Sequence, residues 1–222
     1  MYLNAFLDPD EQVDTAELAN LICSDASVSN VIKVGTEVMG FAAVLPFAPL
    51  RNSDLGQQLQ RIVLARAPAA MQAALTAAFA NDRLGLLVSE RTLNCPPQLV
   101  PHLHSLLHEE VHNTGDETDT FRLDQLLMIA ASFRKPPTAS AQKKARAADS
   151  ELQFHHYETP AYVEQSTAHF SFPVKPLGQE LRWTWRGNIL PHSTVLLLPV
   201  PAVPQVLARM TEILQENSAV QE

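Results

Sequence analysis

The apolar run Leu84-Gly-Leu-Leu-Val-Ser89 sets the first boundary on the fold. It has no polar alternation and is too short for a buried helix, so it reads as a central strand covered on both faces. It is followed by Asn94-Cys-Pro-Pro-Gln98, a turn, since consecutive prolines cannot continue a strand or a helix interior. A strand buried on both sides requires a layer on each side. The rest of the chain is therefore read for elements that could supply them.

Upstream, Asp14-Thr-Ala-Glu17 has capping-box spacing, and Leu18, Leu21 and Ile22 give a short helix one apolar face. Asn30–Val34 and Val38–Phe47 are rich in strand formers and flank Gly35, a hairpin. Ser53 caps a helix through Leu55, Leu59, Ile62 and Val63. Pro68 interrupts it, and an alanine-rich helix follows through Met71, Leu75 and Phe79. Downstream of the turn, Leu99, Leu103, Leu106, Leu107 and Val111 predict an amphipathic helix, with Asn113–Asp119 as polar loop. Phe121–Phe133 reads as a long strand. Residues 134–150 lack core-forming side chains and read as a mobile basic linker. Pro160 opens a short helix containing Tyr162 and Val163. Ala168–Val174, Leu181–Trp185 and Thr194–Val200 are strands, and Val206, Met210, Ile213 and Leu214 mark a terminal helix. The expected architecture is α/β, a single-domain sandwich around one mixed sheet. A short acidic segment (1–13) precedes the domain (14–216), and a tail (217–222) follows it.

Charge narrows the function. The 222 residues carry 16 basic and 24 acidic side chains, net −8, which argues against direct nucleic-acid binding because phosphate contacts need a basic surface. Five of the bases (Arg134, Lys135, Lys143, Lys144, Arg146) fall in the linker. Setting them aside leaves 11 basic and 24 acidic side chains, net −13, a body suited to basic partners. Lys143, Lys144 and Arg146 read equally as a solvated loop or a nuclear-localisation element. Cys23 and Cys95 have no metal or redox spacing, which fits a reducing compartment. The start MYLNAFLDPDEQ is unlike a signal peptide, and no apolar run approaches a membrane span, so cytosol or nucleus and no membrane insertion are expected.

His108-Glu-Glu-Val-His112 is the most suggestive chemical string. HExxH places two imidazoles one helical turn apart, with Glu109 as base for a zinc-bound water. Catalytic zinc needs a third protein ligand, and Thr118 stands where the extended pattern requires histidine. The bland alternative is preferred: a solvent-facing helix whose His104, His108 and His112 lie at the margin of the apolar stripe, with charge responsive near pH 6.5. No metal and no cofactor are expected. His155-His156 reads as loop histidines. Arg182-Trp-Thr-Trp-Arg186 reads as a half-buried strand with its tryptophans on one face. Ser89 lacks the context of a hydrolase nucleophile.

The segment Gly85-Leu-Leu-Val-Ser-Glu-Arg-Thr-Leu-Asn-Cys-Pro-Pro-Gln-Leu-Val-Pro101 resembles the hallmark of the BCCIP family. Its members are interaction partners of a breast-cancer-susceptibility protein and of a cyclin-dependent-kinase inhibitor, with fungal relatives. Gly85, Leu86, Leu87, Ser89, Glu90, Arg91, Asn94, Pro96, Pro97 and Gln98 fit the family pattern, whereas Thr92 stands where an aromatic is usual. Thr15–Ile22 followed by Ser29–Lys33, Met39–Phe41, Tyr157–Val163, Ala168–Val174 and Thr194–Pro199 resemble further family blocks in the same order. The resemblance implies a fold related to GNAT-type acetyltransferases without their chemistry, and the Q/RxxGxG/A acetyl-CoA loop is absent here. It implies a nuclear chaperone and transport factor shuttling to the cytoplasm. Its clients would be a large-subunit ribosomal protein of universal family fourteen and, in fungi, a lipid kinase exported from the nucleus with transport receptors. Cell-cycle and genome-maintenance adaptor roles belong to animal members. A zinc hydrolase and an active acetyltransferase are the enzymatic rivals. Arg91 is either a buried partner near Glu90 or a contact residue, the structural role being preferred.

Overall fold

The apolar run becomes β3 (Leu84–Arg91), an interior strand of a seven-stranded mixed sheet. The computed structural model describes residues 13–135, 151–174 and 189–219. The expected Leu181–Trp185 strand, with Arg182 and Arg186, and the basic side chains Lys143, Lys144 and Arg146 lie outside the described residues.

Asp14 caps α1 (Thr15–Ile22), its carboxylate accepting from the amides of Ala16 and Glu17. The hairpin follows as β1 (Val28–Val34) and β2 (Glu37–Pro46), with Gly35 between them at φ +61°, a left-handed conformation that favours glycine. A single turn, α2 (Phe47–Leu50), leads to α3 (Asp54–Arg66), capped by Ser53, and α4 (Ala69–Ala80) starts at Pro68. After β3 and the proline turn come α5 (Val100–Glu117), β4 (Gln125–Arg134), β5 (Leu152–Phe154) and α6 (Thr159–Gln165). β6 (Ala168–Pro173), β7 (Leu190–Pro199) and α7 (Val203–Ala219) complete the order.

The sheet runs β1-β2-β3-β4-β7-β6, and period-2 alternation divides its side chains between two cores. Leu84, Leu86, Val88, Leu127, Ile129, Val195 and Leu197 join the cluster that includes α1, α3 and α4. Leu87, Leu126, Met128, Leu196 and Leu198 join the cluster that includes α5, α6 and α7. The expected sandwich around a mixed sheet is the architecture found.

The only parallel pairing among the described strands is β3 with β4, and it lasts four residues, Leu84–Leu87 against Gln125–Met128. β7 occupies one edge of β4 along its whole length. β5, which pairs with Ser132–Arg134, must therefore share the β3 edge, filling the gap where the two parallel strands part. Sequence periodicity had not indicated β5.

Around α5 the structure differs from expectation in three ways. α5 runs on through Asn113–Glu117 in place of a loop, because tertiary contacts override the weak helix propensity of Asn, Thr and Gly. Gly115 is buried so tightly that a Cβ there would lie 2.8 Å from the Phe121 carbonyl oxygen, and Arg122 Nε donates to the Gly115 carbonyl at 3.0 Å. The buried stripe of α5 is Val100, Leu103, His104, Leu107, Val111 and Gly115, while Leu99 and Leu106 are exposed. The long strand begins at Gln125, since Asp119–Phe121 forms a 3₁₀ turn.

Candidate protein-interaction site

The helix opened by the proline turn carries the HEEVH string, and its histidines part company. His104 is fully buried and completes a polar chain through the core beneath β3. Ser89 Oγ lies 3.3 Å from His104 Nε2, His104 Nδ1 lies 2.8 Å from the Tyr162 hydroxyl, and that hydroxyl lies 3.2 Å from His108 Nε2. β3, α5 and α6 are thereby tied together. Each group has one donor to give and one acceptor to offer, so the chain is satisfied when all its protons point one way. Burial pushes the His104 imidazole down to about 4 and that of His108 down to about 3, and it raises the Tyr162 phenol. Both histidines are neutral at pH 7. The expectation of a surface stripe titrating near 6.5 is corrected: of the three, only His112 is exposed, 4.0 Å from Asp116. The two histidines of HEEVH stand in different surroundings, His108 Nε2 engaged by the Tyr162 hydroxyl and His112 exposed beside Asp116. Glu109 is exposed, and among the described residues no three His, Cys, Asp or Glu side chains are arranged to hold a metal ion.

The Ser-Glu-Arg end of β3 is fastened to the segment that follows β5. Arg91 Nε donates to Glu158 Oε1 at 3.0 Å and Arg91 Nη2 to Oε2 at 3.2 Å, a two-pronged pair whose carboxylate side chain is 2% exposed. Burial alone would push the Glu158 carboxyl up. The hydrogen bond from Arg91, with the charges of His156 and Arg91, outweighs that and holds it below the usual range. Arg91 also stacks over Tyr157, 5.6 Å from the ring centre, and Glu90 takes His156 Nε2 at 3.2 Å. The Tyr157 hydroxyl donates to the Pro97 carbonyl at 2.7 Å, which joins the proline turn to the same segment. His155 does lie in a loop, but partly buried against Phe133, and burial lowers its imidazole to about 4.

A Cβ on Gly85 would sit 2.6 Å from Leu123 Cδ1 and 2.9 Å from Leu126 Cδ2, so a side chain there requires those leucines to shift. Pro96 supplies the carbonyl that accepts from Leu99 N at 3.1 Å, while Asn94 and Gln98 are exposed on the turn. Sequence reasoning missed Glu158 and Tyr162. Glu158 precedes a short helix and Tyr162 lies within it, and nothing local marks them as partners of groups some 60 positions away.

On the outer side α5 is acidic, with Glu109, Glu110, Asp116 and Glu117 exposed and no Lys or Arg in the helix. It forms a ridge between two clefts. Towards α7 lies a cleft of about 580 Å³ with Val111, Leu123, Leu126 and Val203 in its lining and Glu109, His112 and Asp116 at the α5 side. Towards β1 lies a more polar one of about 390 Å³, bordered by Ser27, Ser29, Glu110 and Glu117, where Asn30 Nδ2 donates to Glu110.

A family model described as BCCIP matches residues 1–162. The chain belongs to the BCCIP family. It is 22% identical over 224 residues to a "Protein BCCIP homolog" of Danio rerio, covering 91% of this chain and 74% of that protein. It is 24% identical to the Bos taurus "BRCA2 and CDKN1A-interacting protein" over 90% of this chain and 73% of that one. "Protein bcp1" of Schizosaccharomyces pombe is 20% identical, with 90% and 79% covered. The crystal structure of BCP1 from Saccharomyces cerevisiae superposes with a TM-score of 0.66 at 18% identity over 94% of this chain and 78% of that one, a likeness of fold.

Proposed function

We propose that this BCCIP-family chain is a non-catalytic chaperone and transport factor. It escorts a basic large-subunit ribosomal protein into ribosome assembly, assists nuclear export of protein cargo, and works in the nucleus with cytoplasmic shuttling. Family membership carries the reading. The acid excess supports it: ribosomal proteins are basic and aggregate without RNA, and a chain of net −8 with an acidic ridge on α5 can screen such a client until rRNA replaces it. The same charge disfavours direct nucleic-acid contact.

Affinity capture with the purified full chain tests this. At about 0.1 M salt, where screening is moderate, it should recover one basic ribosomal protein stoichiometrically. Recovery of none counts against the reading. A cell-cycle or genome-maintenance adaptor is the second reading, favoured by the name of the bovine relative, BRCA2 and CDKN1A-interacting protein, and capture from nuclear extract separates the two. Elemental analysis addresses the zinc-hydrolase rival, which requires near-stoichiometric zinc that is lost on His108→Ala.

A further inference from the structure

We propose that the cleft between α5 and α7 seats an apolar side chain of a basic partner segment. This rests on the escort reading, and it assigns that reading a place. The cleft's volume of about 580 Å³ falls within the range of sites that enclose a side chain or small ligand. Its floor is apolar: Val111, Leu123, Leu126 and Val203 are each at most 9% exposed, and Leu207 stands half-buried on the α7 wall. A pocket of this kind takes the buried anchor that dominates a protein interface.

The rim says which chemistry surrounds the anchor. Arg83 and Arg122 reach the cleft already held by acids, Arg83 with Asp124 at 3.5 Å and Arg122 with Asp119 at 2.8 Å. Among the described residues Glu109 forms no ion pair, and Asp116 has only the weak contact to exposed His112. Two acids are thus uncompensated at the lip of an apolar pocket, while Glu110 and Glu117 of the same helix face the other cleft. That combination fits an apolar residue flanked by Lys or Arg. It disfavours a second copy of this chain, whose own net −8 would be brought against the acidic rim.

The test uses the full chain and a fluorescent synthetic peptide of about twelve residues, leucine and phenylalanine spaced among lysines and arginines, read by anisotropy. Two variants bracket the site: Leu207→Asp, which puts charge on the wall, and the exposed pair Glu109→Lys with Asp116→Lys, which reverses the rim without touching the core. With melting temperature unchanged, each should weaken the peptide about tenfold, as should replacing its apolar residues by serine. Equal affinity across these arms overturns the proposal, as does a dimer that Leu207→Asp dissolves.

Capture of a purified basic ribosomal protein is run beside it. Wild-type capture that both variants retain leaves the escort reading standing and removes the cleft. Peptide binding at the cleft without any ribosomal client does the reverse.

Discussion

At the scale of single residues, the Arg91–Glu158 pair is the sharpest feature, because one charge is 11% and the other 2% exposed. Removing one partner leaves the other buried and uncompensated, which costs about 3–5 kcal/mol, whereas replacing both by apolar residues of similar volume is close to neutral. Arg91→Met is therefore expected to lower unfolding stability by about that amount, and Arg91→Met with Glu158→Leu to recover most of it, measured by urea denaturation. A single change costing under about 1 kcal/mol would show that the pair is effectively solvated. A glycine makes a second point. Gly→Ala inside a helix ordinarily stabilises by about 1 kcal/mol, but at Gly115 the new methyl would meet the Phe121 carbonyl at 2.8 Å. Gly115→Ala should lower the melting temperature, and a rise would mean that the end of α5 is looser than described.

At the scale of elements, the chain Ser89–His104–Tyr162–His108 couples β3, α5 and α6 to pH. In the unfolded chain these histidines titrate near 6.5, while folded His104 and His155 titrate at about 4 and His108 at about 3. Between those values the unfolded state binds protons that the folded state refuses, so stability falls as pH drops below about 6.5, by up to about 1.4 kcal/mol per pH unit for each group. Glu158, with its lowered carboxyl, adds to the loss at still lower pH. Urea midpoints measured from pH 7.5 down to 5 should decline, less steeply for His104→Gln. A flat profile would contradict the buried, neutral assignment.

Most elements were legible in the sequence because their signals are local. Asp14 and Ser53 cap the helices they precede, Gly35 turns the hairpin, and the run from Leu84 is the interior strand. What was not legible depends on residues distant in sequence. Leu99 and Leu106 fit the apolar spacing of α5, but Val100 and His104 take the buried positions, His104 being held there by Tyr162 and Ser89. β5 has only three residues and exists because β3 and β4 part beyond Leu87 and Met128. The Arg91 partner lies 67 positions away, so its structural role was readable while its partner was not.

At the scale of the whole molecule, two layers pack on a mixed sheet, and the outer side of α5 carries Glu109, Glu110, Asp116 and Glu117 with no Lys or Arg in the helix. No described helix is long and apolar enough to cross a membrane. An escort that works by screening charge must release its client as salt rises, since screening shortens the reach of exposed charges to about 3 Å at 1 M. Light scattering of a purified basic large-subunit ribosomal protein, with and without an equimolar amount of this chain, measures that claim directly. The account predicts that the chain keeps the client from aggregating at about 0.1 M salt and loses the effect near 1 M. Aggregation that proceeds unchanged at the lower salt would contradict it.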